Sequence, residues 1–170
     1  MPYPFSATEV FGRATRQGTD ASTAVELPGQ KVAGRVISLL FDALRQQAGS
    51  GEQLSGWRVE VVTIPLQRAS RRRIRLTMRG LLTVVKKGQA RIALDCDSRR
   101  VVVEVNGRME LPLPDGSLPN MQRPLDLSVV VPRSTHPRTE LRVLIFMEVN
   151  AGSPDAQAEV AVDSLDIEAI

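Results

Sequence analysis

From Trp57 onward apolar side chains recur at every second position. Trp57, Val59, Val61 and Thr63 alternate with Arg58 and Glu60, and Ile74, Leu76 and Met78 alternate with Arg73, Arg75, Thr77 and Arg79. A period of two sends successive side chains to opposite faces of a strand, so this stretch can bury one side of a sheet but not one stripe of a helix. Similar runs at Leu81 to Lys86, Ala90 to Asp95, Arg100 to Val105, Arg108 to Leu113, Leu125 to Val131, Leu141 to Val149 and Ala158 to Ile167 bring the total to about nine short strands. A chain of 170 residues, 42% of them hydrophobic, has material for one core and little room for two. Many short strands without helices between them imply antiparallel sheets packed face to face. The expected fold is mainly β, an antiparallel β-sandwich of jelly-roll type, with a closed barrel as the alternative.

Two segments stand outside that pattern. In Gln30 to Gln47, the residues Val32, Val36, Ile37, Leu40, Phe41 and Leu44 recur at steps of three and four, opposite Lys31, Arg35, Ser38, Asp42 and Arg45. That spacing predicts one amphipathic helix over 30–47, a natural cover for one sheet. Residues 1–29 mix Ser, Thr, Gly and Ala with few aliphatics and read as a flexible N-terminal arm before a single domain at 30–170. The arm holds Tyr3, Phe5 and Phe11, three of the six aromatics in the chain, and these are its expected interface anchors; packing on its own domain is the alternative.

Finer signals sit within the strands. Asn106-Gly107 predicts a type I′ hairpin turn, which needs positive φ at both central residues. Leu141 to Val149 is apolar on both parities in its middle, as a strand covered on both faces would be. In the last run Val160 and Val162 are even, whereas Leu165 and Ile167 are odd, so a bulge near Asp163-Ser164 is needed to keep one apolar face. The closing stretch from Ala158 to Ile167 is similar to the terminal strands of jelly-roll accessory modules.

Nothing in the chain has the spacing of a metal box, a phosphate loop or a catalytic triad, so no cofactor and no metal are expected. Cys96 and His136 are the sole residues of their types. Cys96 shares parity with Ile92 and Leu94, which predicts a small hydrophobe turned into the apolar layer instead of a nucleophile. Asp95 and Asp97 share a face, but Arg99 and Arg100 follow at once and neutralisation is the expected fate. The longest apolar stretches, such as Val143 to Met147, fall far short of the roughly 20 residues a spanning helix needs. Met1 to Thr8 lacks the basic start of a secretory signal, so synthesis in the cytosol, residence there or inside an assembled particle, and no membrane insertion are expected.

Charge is strongly segregated along the chain. Between Leu66 and Arg100 there are eleven basic residues against Asp95 and Asp97, a local net of +9, while after Arg142 there are acidic residues and no basic ones. Arg68, Arg71, Arg72, Arg73, Lys86 and Lys87 are candidate contacts for a polyanion or an acidic partner, and Asp155, Glu159, Asp163 and Asp166 form the candidate acidic face. Cross-strand pairing inside one sheet would account for the same segregation. Self-association, or joining other subunits through opposed charges, is the favoured expectation. It makes this a non-enzymatic assembly subunit of a particle such as a virion, an injection machine or a filament. The alternative is a β-sandwich module binding a polyanion, nucleic acid included, or a carbohydrate. Scarce aromatics weigh against both stacked bases and a sugar-binding face.

Overall fold

A computed structural model describes residues 10–18, 25–27, 29–49, 53–70, 72–107, 114–116 and 120–170. The alternation becomes strands at β5 (Ser55–Ser70), β6 (Ile74–Val85), β7 (Gln89–Cys96), β8 (Arg99–Asn106), β9 (Met121–Val131), β10 (Arg138–Asn150) and β11 (Gln157–Ala169). They are preceded by β1 (Thr15–Gly18), β2 (Val25–Glu26), β3 (Gln30–Ala33) and β4 (Val36–Gly49). Two antiparallel sheets result, one in the order β2-β1-β5-β10-β7-β8 and the other β3-β4-β11-β6-β9. Their inner faces meet in one core, with Ile37, Leu76, Met78, Ile92, Val143, Ile145 and Leu165 all fully buried. The fold is therefore a β-sandwich. The run Arg108 to Leu113 lies outside the described residues.

The expected helix over 30–47 is absent; β3 and β4 occupy the segment. Within β4, Ile37, Leu39 and Phe41 point inward on odd positions, and Leu44 and Ala48 do so on even ones. The pairing explains the slip: Leu40 lies opposite Ser164 and Leu44 opposite Val162, so three residues of β4 face Asp163 alone. The three-residue step across this irregularity, added to outward-facing Val36 and Leu40, imitates helical spacing. On β11 the predicted bulge is present, with the register shifting between Val162 and Ser164 against both neighbours and Val160, Val162, Leu165 and Ile167 all buried. Gly80 of β6 completes the device, because a Cβ there would lie 2.0 Å from the Ala161 carbonyl oxygen.

The N-terminal arm also needs correction. Of its described part, β1 pairs with β5, and Phe11, Ala14 and Leu27 are buried in the common core. Phe11 bridges to Leu66, and the Gly12 amide donates to the Pro65 carbonyl at 2.7 Å. A few large side chains suffice to hold a polar segment when a sheet edge accepts its backbone. Phe11 thus anchors its own domain and does not face a neighbour; Tyr3 and Phe5 lie outside the described residues.

The tight hairpin is not at Asn106-Gly107. Neither residue has positive φ; Asn106 continues β8 opposite Gln89. Positive φ at two successive positions occurs instead at Asp97 (51°) and Ser98 (65°), which join β7 to β8 between paired Cys96 and Arg99. Asp tolerates the left-handed region, and the Asp-Ser pair carries a weaker signal than Asn-Gly. Gly107 serves close approach, since a Cβ would lie 1.9 Å from the Lys86 carbonyl oxygen. Strand β10 likewise buries one face only, with Val143, Ile145 and Met147 inward and Leu144 39% exposed. Among the described residues no helix covers that outer side.

Candidate functional site

The outer faces of the two sheets differ in chemistry. On the five-stranded sheet the outward positions are mostly polar, and ion pairs tie Arg75 to Glu168 and Arg79 to Asp166 across β6 and β11. On the six-stranded sheet the register of β5, β10, β7 and β8 arranges the outward residues in rows that cross four strands. The row at the loop end is Ser55, Asn150, Gln89 and Asn106. Next come Trp57, Glu148, Arg91 and Glu104, then the apolar row Val59, Phe146, Ala93 and Val102. A fourth row holds Val61, Leu144, Asp95 and Arg100.

A cleft of about 420 Å³ opens at the corner where β5 and β10 end. Trp57, Ser55, Glu148 and Asn150 line it from the sheet, and Gln46 and Gln53 from β4 and the loop after it. The backbone shapes this corner. The Gly49 amide donates to the Gln53 carbonyl at 2.9 Å and the Ala151 amide to the Leu54 carbonyl at 2.8 Å, folding the loop back onto the strand ends. Gly56 leaves room for the Gln46 side chain, whose Nε2 would lie 2.4 Å from a Cβ at this position and would have to turn aside. Trp57 is 60% exposed. An indole held open to solvent on a rigid strand, beside amides, a hydroxyl and a carboxylate, offers a flat apolar platform with hydrogen-bond donors and acceptors around it.

No family model matches the chain, and no curated protein matches it in sequence. Solved structures similar to it include two carbohydrate-related β-proteins. TmCBM61 in complex with β-1,4-galactotriose aligns with 100% of this chain and 97% of its own length, at 12% identity and a TM-score of 0.39. The CBM36-1 domain of a multidomain xylanase from the hindgut metagenome of Trinervitermes trinervoides aligns with 74% of this chain and 98% of its own, at 13% identity and a TM-score of 0.27. Likeness at this level carries no argument about this chain.

The residues singled out in the sequence do not gather at this cleft. Arg72 and Arg73 lie where β5 passes to β6, and Lys86 and Lys87 lie beyond the far end of β6. A strand of this length separates the two groups by roughly 35–40 Å, so they are not one polyanion patch. The Arg68 side chain and Arg71 lie outside the described residues. Lys86 pairs with Asp155 at 3.0 Å, Asp166 with Arg79 at 3.0 Å, and Glu159 accepts from Gln47 Nε2. Ser153 and then Lys86 hold the Asp155 carboxyl down to about 2. Asp163 sits exposed at the bulge. The acidic set is thus spread along β11 and the loop before it, and much of the segregated charge pairs within the fold.

Asp95 meets Arg100 at 3.4 Å and Asp97 meets Arg138 at 2.8 Å, the expected neutralisation, although Arg138 was not foreseen as a partner. Arg138 also donates to the Arg72 and Pro132 carbonyls at 2.9 and 2.8 Å, joining three loops at the end of the sandwich remote from Trp57. Cys96 is 1% exposed, as its parity predicted. His136 is exposed in the loop before β10. Among the described residues, no three His, Cys, Asp or Glu side chains are grouped to hold a metal ion, and no helix is long and apolar enough to cross a membrane.

Sequence reasoning missed the cleft. The alternation makes Trp57 one more member of a strand, and Gln46, Gln53, Ser55 and Asn150 follow no period. Parity points the wrong way here: the sequence groups Trp57, Val59, Val61 and Thr63 as the apolar face, whereas β5 buries Glu60, Val62, Ile64 and Leu66 and turns the odd positions outward.

Proposed function

We propose that this chain is a non-enzymatic carbohydrate-binding module, with its ligand seated in the cleft at Trp57. The observation that carries this reading is the company Trp57 keeps. A sugar ring presents an apolar C–H face and a rim of hydroxyls, which fits an exposed aromatic plane ringed by Gln46, Gln53, Ser55, Glu148 and Asn150. The order β4-β11-β6-β9 facing β5-β10-β7-β8, with successive strands mostly changing sheets, supports a jelly roll as the scaffold. Assembly of copies through opposed charges has less behind it, because pairs such as Arg79–Asp166 and Lys86–Asp155 lie within one chain.

Trp57 is the sole tryptophan, so the protein's own fluorescence reports the site directly. Titration with oligosaccharides of neutral β-glucans, xylans, mannans and galactans should shift its emission to the blue for at least one series. Trp57→Ala should remove retardation by the matching polysaccharide in affinity electrophoresis without unfolding the sandwich, since the side chain is largely solvent-exposed. A wild-type protein whose emission and mobility respond to none of these glycans would end the proposal.

A further inference from the structure

We propose that the cleft at Trp57 is the first position of a longer path across β10, β7 and β8, and that the path takes an unbranched, electrically neutral polysaccharide chain. This rests on the carbohydrate reading above and extends it to the length and charge of the ligand. The cleft is one corner of two polar rows that continue in register, Ser55-Asn150-Gln89-Asn106 and Trp57-Glu148-Arg91-Glu104. Three steps between strands at about 4.8 Å each cover about 14 Å, more than a single sugar ring occupies. The next row, Val59-Phe146-Ala93-Val102, is apolar, with Ala93 buried, Val59 and Phe146 half-buried and Val102 39% exposed. A band of hydrogen-bonding groups beside a band of apolar contact matches a ligand whose rings carry hydroxyls along their edges and C–H groups on their faces.

The charge on this face decides the class of chain. Arg91, Arg100 and Arg142 point outward together with Asp95, Glu104, Glu140 and Glu148, three basic charges against four acidic ones. Several are loosely paired already, Arg91 with Glu148 at 4.0 Å and Arg100 with Asp95 at 3.4 Å, and Gln89 donates to Glu104. A face without net positive charge has no field to attract a uronate or sulfated chain, whereas its donors and acceptors remain suited to hydroxyls.

The test is calorimetric titration of the full chain with cello-, xylo-, manno- and β-1,4-galacto-oligosaccharides from the monosaccharide to the hexasaccharide, at low and high salt. In the series that binds, affinity should rise with length and then level off, with little change on adding salt. Gln89→Ala should lower hexasaccharide affinity about three- to tenfold, the worth of one or so hydrogen bonds, and should cut the gain from disaccharide to hexasaccharide. Equal affinity for short and long members would confine binding to the Trp57 cleft and overturn the path while leaving the carbohydrate reading intact. Tighter binding to polygalacturonate, falling steeply with salt, would overturn neutrality. No binding to any glycan would remove the carbohydrate reading and the path together.

Discussion

Cys96 lies with Ile92 and Leu94 on the inward side of β7, and burial pushes its thiol up from an ordinary 9.0 to about 11, with a smaller push from Asp97. The thiolate is the reactive form, so a side chain both covered and protonated should react slowly with thiol reagents in the native protein and fast once unfolded. The shift also bears on stability. Below pH 9 the thiol keeps its proton in both states. Between pH 9 and 11 the unfolded chain ionises while the folded chain does not, so this group's contribution is lost as pH rises through that window. Cys96→Ala should cost a modest amount at neutral pH, about 1 kcal/mol from the altered packing, and should make the alkaline fall in stability shallower. Urea denaturation of both proteins at neutral pH and near pH 11 measures the difference; parallel losses would show that burial does not govern the thiol. This residue was legible because parity alone fixed its side of the strand, whereas exposure at Trp57 depends on what stands next to it.

At the scale of elements, the same physical event was legible in one strand and misleading in its neighbour. In β11 the change of parity from Val162 to Leu165 is bracketed by clean alternation on both sides, so a bulge is the economical explanation. In β4 the matching slip from Phe41 to Leu44 sits among outward-facing Val36 and Leu40, the latter 59% exposed, and the sum has the three- and four-residue spacing of a helix. The period of a single segment cannot separate these cases, because the slip is set by the partner strand. The bulge itself can be tested. Deleting Asp163 would put Leu165 and Ile167 on the solvent side, or force the β11 register to break, at a cost of about 3 kcal/mol or more given what burial of each side chain contributes. Asp163→Ala, which keeps the residue count and removes an exposed carboxylate, should change stability by less than about 0.5 kcal/mol. Urea midpoints that fall equally for both variants would mean that the side chain of Asp163 matters and the extra residue does not.

Across the whole molecule, the charge segregation that dominates the sequence is largely a record of strand order. The basic strand β6 and the acidic strand β11 are neighbours, as are β7 and β10, so Arg75–Glu168, Arg79–Asp166 and Arg91–Glu148 fall across adjacent strands. Strand order is a non-local property, and a chain read from one end to the other shows the charges apart where the sheet brings them together. The cleft at Trp57 was hidden for the same reason, since Gln46, Gln53, Trp57 and Asn150 come from three stretches of chain that meet where the strands end. Exposed pairs of this kind each contribute no more than about 1 kcal/mol, so their value here is mutual neutralisation. Opposed charges satisfied inside one chain are not left over to join copies. The mass in solution, measured by light scattering, should therefore be the same at low and high salt. A mass that falls as salt is added would mean that unpaired basic and acidic surfaces meet between molecules, and would restore charge-driven assembly as the better account of this surface.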